Sequence, residues 1–155
     1  MVNEQLEQEV LDYIKKRNVM TLATQGSQGL WAAAVFYVND RFTFYFLSAE
    51  STRHAVNMRD ASHVSATIQL DYDNWQDIKG VQMEGNVELL DGLEKASAIT
   101  RYGVKFPVIA SALKTPTEIK KAMARVSWYK LVPERLYLIN NARGLGHRDE
   151  IKLDR

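Results

Sequence analysis

No cysteine occurs among the 155 residues, which removes disulfide staples, cysteine-ligated metals and thiol nucleophiles together. Long apolar runs are missing as well. No window approaches the ~18 consecutive apolar residues of a membrane span, and the amino-terminal MVNEQLEQEVLDYIKKRN carries acidic residues where a signal sequence would carry an apolar core. Neither sign of charge dominates: 20 Lys and Arg face 19 Asp and Glu, for a formal net charge of +1, so nothing general draws the chain to nucleic acid or to an acidic membrane. The GxSxG, P-loop and GxGxxG signatures are absent, since Gly144-Leu145-Gly146 falls after the last apolar strand pattern and not between a strand and a helix. His54, His63 and His147, the only histidines, match no metal-ligand spacing, and no metal site is expected. These absences leave the expectation of a soluble cytoplasmic protein. Its 46% hydrophobic content can bury one substantial core, so a single domain over residues 1–155 is expected.

Leu6, Val10, Tyr13 and Ile14 recur at three- and four-residue steps and predict an opening helix over residues 3–17 that caps something apolar. From Val19 the period changes. VMTLATQ, LWAAAVFYV and RFTFYFL are β-rich runs separated by Gly26-Ser27-Gln28-Gly29 and by Asn39-Asp40, the pattern of a hairpin meander. In the third run Phe42, Phe44 and Phe46 point one way and Thr43, Tyr45 and Leu47 the other, so the sheet should be covered on both sides there. Residues 51–60 read as a short helix and HVSATIQL as a fourth strand. In the long fifth strand, KGVQMEGNVELL, Gly85 suggests a bulge or a close backbone approach. A helical insert over 92–121 follows, with Thr115 as N-cap and Pro116 in the first helical position of its second part. RVSWYKLV and ERLYLIN read as two strands broken at Pro133, and ARGLGHRDEIKLDR as a charged tail. The sum is an α+β protein built on an antiparallel, six- to seven-stranded barrel with flanking helices.

The segment YFLSAESTRHA passes from strand pattern to helix pattern through a dense polar knot. A helix starting at Ser51 or Thr52 leaves its first N–H groups without acceptors and directs their dipoles at whatever lies in front, an arrangement suited to an anion. Ser48, Ser51 and Thr52 add hydroxyls, and the Arg53 guanidinium has the planar fork that grips phosphate bidentately. A plainer reading stands beside this one: Ser51 caps the helix and Arg53 pairs with Glu50 or Asp60. Trp31, Trp75 and Trp128 read as core or interface aromatics, with Trp128 able to line a cleft.

The run from LWAAAVFYV through RFTFYFLSAESTRHA to HVSATI resembles the FMN-binding split-barrel family of pyridoxamine 5'-phosphate oxidase, especially a small branch with a KTRHA-like segment after the third strand. The likeness continues through KGVQMEGNVELL and WYKLVPERLYLINN. It implies a split barrel that dimerises and binds two FMN molecules between its subunits. The FMN phosphate would be held by residues matching Ser48, Ser51, Thr52, Arg53 and His54. The flavin ring would lie along the second strand, Ala32, Ala33, Ala34, Val35 and Phe36, where small side chains permit close approach; tight barrel packing is the other explanation of those alanines. The partner's fifth strand would contribute near Gln82, which otherwise is an ordinary solvent-facing strand residue. His147 and Arg148 could reach flavin or substrate, or be a solvated tail.

Two departures from the family pattern stand out. Where the oxidases end in an arginine-rich RLHDR-like segment that grips substrate phosphate, this chain reads GLGHR at 144–148, so their substrate specificity is not implied. Residues 31–38 also lack the basic residues that share the FMN phosphate in those enzymes, which leaves Arg53 with more of that load. The resulting expectation is an FMN-dependent oxidoreductase for a small molecule, with no particular side chain required as acid or base. A non-enzymatic carrier of flavin, haem or another planar ligand is the alternative.

Overall fold

The computed structural model describes residues 2–107, 111 and 116–154. Helix α1 (Val2–Lys15) has Glu4 in its first turn and Lys15 in its last, both favourably placed against the helix dipole. Its apolar stripe delivers Val10, Tyr13 and Ile14 into the core, where they are at most 6% exposed. The helix plugs one end of the sheet, and Tyr13 fixes its height by donating its hydroxyl hydrogen to the Lys79 carbonyl at 2.7 Å.

Strands β1 (Val19–Thr24), β2 (Trp31–Phe36), β3 (Val38–Asp40), β4 (Thr43–Ala49), β5 (His63–Gln69), β6 (Lys79–Leu89), β7 (Val126–Asn140) and β8 (Arg148–Ile151) form one sheet. The order is β2-β1-β5-β6-β7-β4-β3, with β8 on β7, and every pairing is antiparallel. Helix α2 (Arg53–Asp60) joins β4 to β5; α3 (Gly92–Lys105) and α4 (Pro116–Arg125) lie between β6 and β7. This is the expected α+β split barrel. The Thr115 cap lies outside the described residues.

Three details differ from the sequence reading. The first three runs are not one meander: β1 and β2 form one hairpin, the short β3 and β4 form another, and the other edge of β4 pairs with β7 and not with β2. The chain leaves the β1–β2 ladder at Tyr37, whose ring is fully buried and whose hydroxyl donates to the Ile14 carbonyl, so LWAAAVFYV divides there. Pro133 does not break its segment either. It sits opposite Gly85 at a bulge where the β6–β7 register shifts, a position at which proline is tolerated inside a sheet. The supposed tail is ordered as β8, because Asn140 N–H donates to the His147 carbonyl and closes the turn back onto β7.

The register places Leu22, Ala66, Met83, Leu136 and Ile151 in one row across five strands, all nearly inaccessible to solvent. This row and the Phe44–Phe46–Tyr129–Leu131 group form the main core. On the other face the two halves of the sheet differ. Near β3, β4 and the first half of β7, helix α3 covers a second cluster of Val38, Leu90, Ala98, Tyr102 and Trp128, so the third run is covered on both sides as its sequence suggests. Across β2, β1, β5 and β6 no helix among the described residues covers that face, which carries Ala34, Thr21, Thr67 and Gln82 in one row.

A Cβ on Gly85 would lie 2.1 Å from the Val132 carbonyl oxygen and 2.6 Å from Pro133 Cα, so the two strands can approach only if residue 85 has no side chain. Gly85→Ala should therefore lower unfolding stability by ~3 kcal/mol or more, above the usual cost of surface substitutions. Denaturant unfolding of the variant with an unchanged midpoint would show that the bulge can relax.

Candidate functional site

The polar knot is built by packing α2 onto the loop that joins β1 to β2. Asn57, fully buried in the middle of α2, does most of this. Its Nδ2 donates to Thr24 Oγ1 at 3.2 Å and to the Gly29 carbonyl at 2.8 Å, while its Oδ1 accepts from the Gln28 amide at 3.3 Å. Asp60, at the end of the helix, accepts from the Ser27 amide at 2.8 Å, and Ser27, through its side chain first and then this amide, lowers the Asp60 carboxyl pKa. The fit is tight: a Cβ on Gly26 would stand 2.8 Å from Asn57 Cα. The start of β2 is thereby fixed against the start of α2.

Thr52 is the N-cap. Its hydroxyl oxygen accepts from the Ala55 amide at 3.3 Å and donates its hydrogen to the Ala49 carbonyl at 2.8 Å. Ser48 and His54 are both buried and face one another, with Ser48 Oγ 2.7 Å from His54 Nε2. Burial holds the His54 pKa below its ordinary value by disfavouring the imidazolium. Thr52, Ser48 and His54 are thus committed to forming the helix start, whereas Ser51 and Arg53 remain exposed.

Arg53 does not pair with Glu50 or Asp60, against the plainer sequence reading. Its NH2 group donates to the Gln28 carbonyl at 2.5 Å and to the Leu30 carbonyl at 3.3 Å, and its guanidinium carbon lies 4.3 Å from the Trp31 ring centre. Glu50 instead accepts from the Ser127 hydroxyl, and Asp60 from Ser27. Among the described residues, the Nε and NH1 groups of Arg53 have no hydrogen-bond partner. A cation with an open edge therefore stands at the first residue of β2.

Strand β2 lies at the edge of the sheet, so every second residue along it turns its N–H and C=O away from β1. Ala32, Ala34 and Phe36 face the bare side and are exposed, Ala33 is half-buried, and Val35 points into the core. A groove of about 540 Å³ opens beside Leu30, Trp31 and Ala32 and is bounded across the sheet by His63, Ser65 and Glu84. His63 Nε2 lies 3.4 Å from Glu84 Oε2 in its wall. Gln82 is exposed on the same face as Ala34, three strand steps or ~14 Å away.

His147 and Arg148 are elsewhere. His147 Nε2 lies 2.9 Å from Asp149 Oδ2, Arg143 bridges Asp149 to Glu9, and the Arg148 guanidinium stacks over Tyr137 at 4.6 Å. They belong to a charged strap that ties β8 to α1, on a different part of the chain from Arg53. Asn57 and Trp31 are the contributors that the sequence reading did not identify. An asparagine in the interior of an eight-residue helix, where it is a poor helix former, is the signal that could have exposed the first.

Among the described residues, no group of three His, Asp or Glu side chains could hold a metal ion, and no helix is long and apolar enough to cross a membrane. The sequence profile of the pyridoxamine 5'-phosphate oxidase family matches residues 6–140. A UPF0306 protein of Enterobacter sp. strain 638 is 32% identical over 138 residues, covering 88% of this chain and 89% of the relative. Among solved structures, HutZ, the haem storage protein of Vibrio cholerae, superposes with a TM-score of 0.70 at 20% identity, covering 86% of this chain and 94% of its own. A FAD-binding protein of Mesorhizobium loti superposes with a TM-score of 0.64 at 16% identity, covering 83% and 90% respectively. At these identities the two structures share a fold with this chain.

The depressed His54 pKa has a sign that can be checked. The folded state resists protonation of His54, so its contribution to stability is complete above the ordinary histidine pKa and is lost as the pH falls through the folded value. Acidification below about pH 6.5 should loosen the α2 start, and the His54 imidazole should titrate below the unfolded value when followed by NMR. A His54 pKa at or above the model-peptide value would contradict the buried Ser48–His54 contact.

Proposed function

The chain belongs to the pyridoxamine 5'-phosphate oxidase family, and on that premise we propose that it binds FMN and acts as a flavin-dependent oxidoreductase on a small molecule. One observation carries the reading: the exposed Arg53 guanidinium, with an open edge, stands at the head of an edge strand whose first two outward side chains are Ala32 and Ala34. The donor set fits the cofactor. Arg53, the Ser51 hydroxyl and the first amides of α2 would hold the phosphate, and the edge groups of β2 would meet the polar rim of the ring while Ala32 and Ala34 let it approach.

When bound, FMN supplies the hydride or electron transfer. The chain's residues bind, orient and exclude water. Thr52, Ser48 and His54 keep the helix start in place, and Asn57 holds the Gln28 amide and the Gly29 carbonyl of the loop against it. The uncovered face of β2, β1, β5 and β6 supports a homodimer in which a second copy closes the cleft and presents Gln82, because such a face beside Val19, Leu30 and Phe36 leaves apolar surface in water. His147 and Arg148 stay assigned to flavin or substrate only through that second copy, since within one chain they are engaged with Asp149 and Tyr137.

A haem-binding carrier is the second reading, favoured by His63, a half-exposed imidazole in the wall of the same groove. The absorbance spectrum of the purified protein, with identification of the released chromophore, separates the two. Flavin bands support the proposal; a Soret band or a colourless protein that takes up no FMN removes it. Arg53→Ala should weaken FMN binding ten- to a hundredfold, since one charge-assisted bidentate contact contributes about 1.5 to 3 kcal/mol. Light scattering at low micromolar concentration should report a dimer, and a monomer would remove the shared cleft.

A further inference from the structure

Trp31 occupies an unusual place for a large aromatic. It is the first residue of an edge strand, 44% exposed, with its neighbour Leu30 75% exposed. Its ring carries the Arg53 guanidinium at 4.3 Å, and the same side chain borders the 540 Å³ groove. Arg53 meanwhile spends only its NH2 group on the carbonyls of Gln28 and Leu30. A freely rotating arginine at an exposed helix start would sample many rotamers, and fixing it at the moment of binding costs affinity. Ring and carbonyls together remove most of that freedom before any ligand arrives.

We propose that Trp31 is a positioning residue for the anion: its indole face, with the Gln28 and Leu30 carbonyls, holds the Arg53 guanidinium at the head of β2 so that the Nε and NH1 edge is presented to a phosphate. The proposal rests on the FMN reading for its ligand, and it assigns Trp31 a role through Arg53 and not through the flavin ring. It also accounts for how β2 can lack lysine and arginine, because α2 and the indole bring a cation to the strand's first residue through space.

Two flavins that differ only in the phosphate test this. Trp31→Leu keeps an apolar side chain and removes the π face; Trp31→Phe keeps a face. With FMN, titrated by flavin fluorescence, Trp31→Leu should bind about tenfold more weakly than wild type, Trp31→Phe within about threefold of it, and the Trp31→Leu/Arg53→Ala double variant no more weakly than Arg53→Ala alone. With riboflavin, which lacks the phosphate, Trp31→Leu should bind like wild type. An equal loss for both flavins would overturn the proposal in favour of Trp31 as a ring platform, and unchanged FMN affinity in Trp31→Leu would overturn it outright. Wild-type protein that binds neither flavin would defeat the FMN reading instead. The Arg53 Nε–H resonance, titrated with inorganic pyrophosphate, then reads the positioning alone. Movement in wild type that is lost in Trp31→Leu supports it. Equal movement in both, or none in wild type, overturns it.

Discussion

The approach of Gly85 to Val132 and Pro133 is the constraint on which the architecture depends. Strand β7 is fifteen residues long and β6 follows it almost throughout, yet the other edge of β7 is shared, β4 taking the first half and β8 the second. One flat ladder could not serve both. The extra residue at the bulge bends the pair and divides the sheet into a half that α3 covers and a half that no described helix covers. The candidate site lies on the uncovered half, so its availability follows from a contact three strands away in the middle of the sheet.

A second constraint acts locally. The β1–β2 loop has no regular structure to hold it, and a loop of that kind would place Arg53's acceptors loosely. Asn57 replaces the missing ladder with three side-chain hydrogen bonds, one to the buried Thr24 hydroxyl and two to the Gln28 and Gly29 backbone of the exposed loop. Glycine at 26 lets the backbones close to contact. The cation, the helix start and the strand head therefore behave as one unit, and changes at Asn57 or Gly26 act on the site without touching a ligand.

Much of this was legible in the sequence, for identifiable reasons. Period-two and period-3.6 patterns located α1, β1, β4, β5 and β6, and a glycine inside an alternating strand pattern pointed to the bulge. The order of residues around STRHA pointed to the family. What escaped is what pattern cannot encode. Proline reads as a strand breaker unless its partner strand is known, so β7 was split. Alternating charge with glycines reads as a solvated tail, although Asn140 and Tyr137 await it as β8. Arg53 was singled out for its chemistry, but its partners are backbone carbonyls more than twenty residues away, and carbonyls leave no mark in a sequence.

The lateness of β7 in the chain bears on how the protein is made. Phe46 pairs with Tyr129 and Phe44 with Leu131, so β4 has no strand partner other than β3 until residues 126–131 have emerged. Before then a growing chain displays two phenylalanines on an unfinished strand, the kind of edge that recruits other chains. Long-range closure of this sort slows folding in comparison with local pairing. During synthesis on a ribosome the β4 edge therefore stays open until β7 arrives, so closing the main core is among the last events.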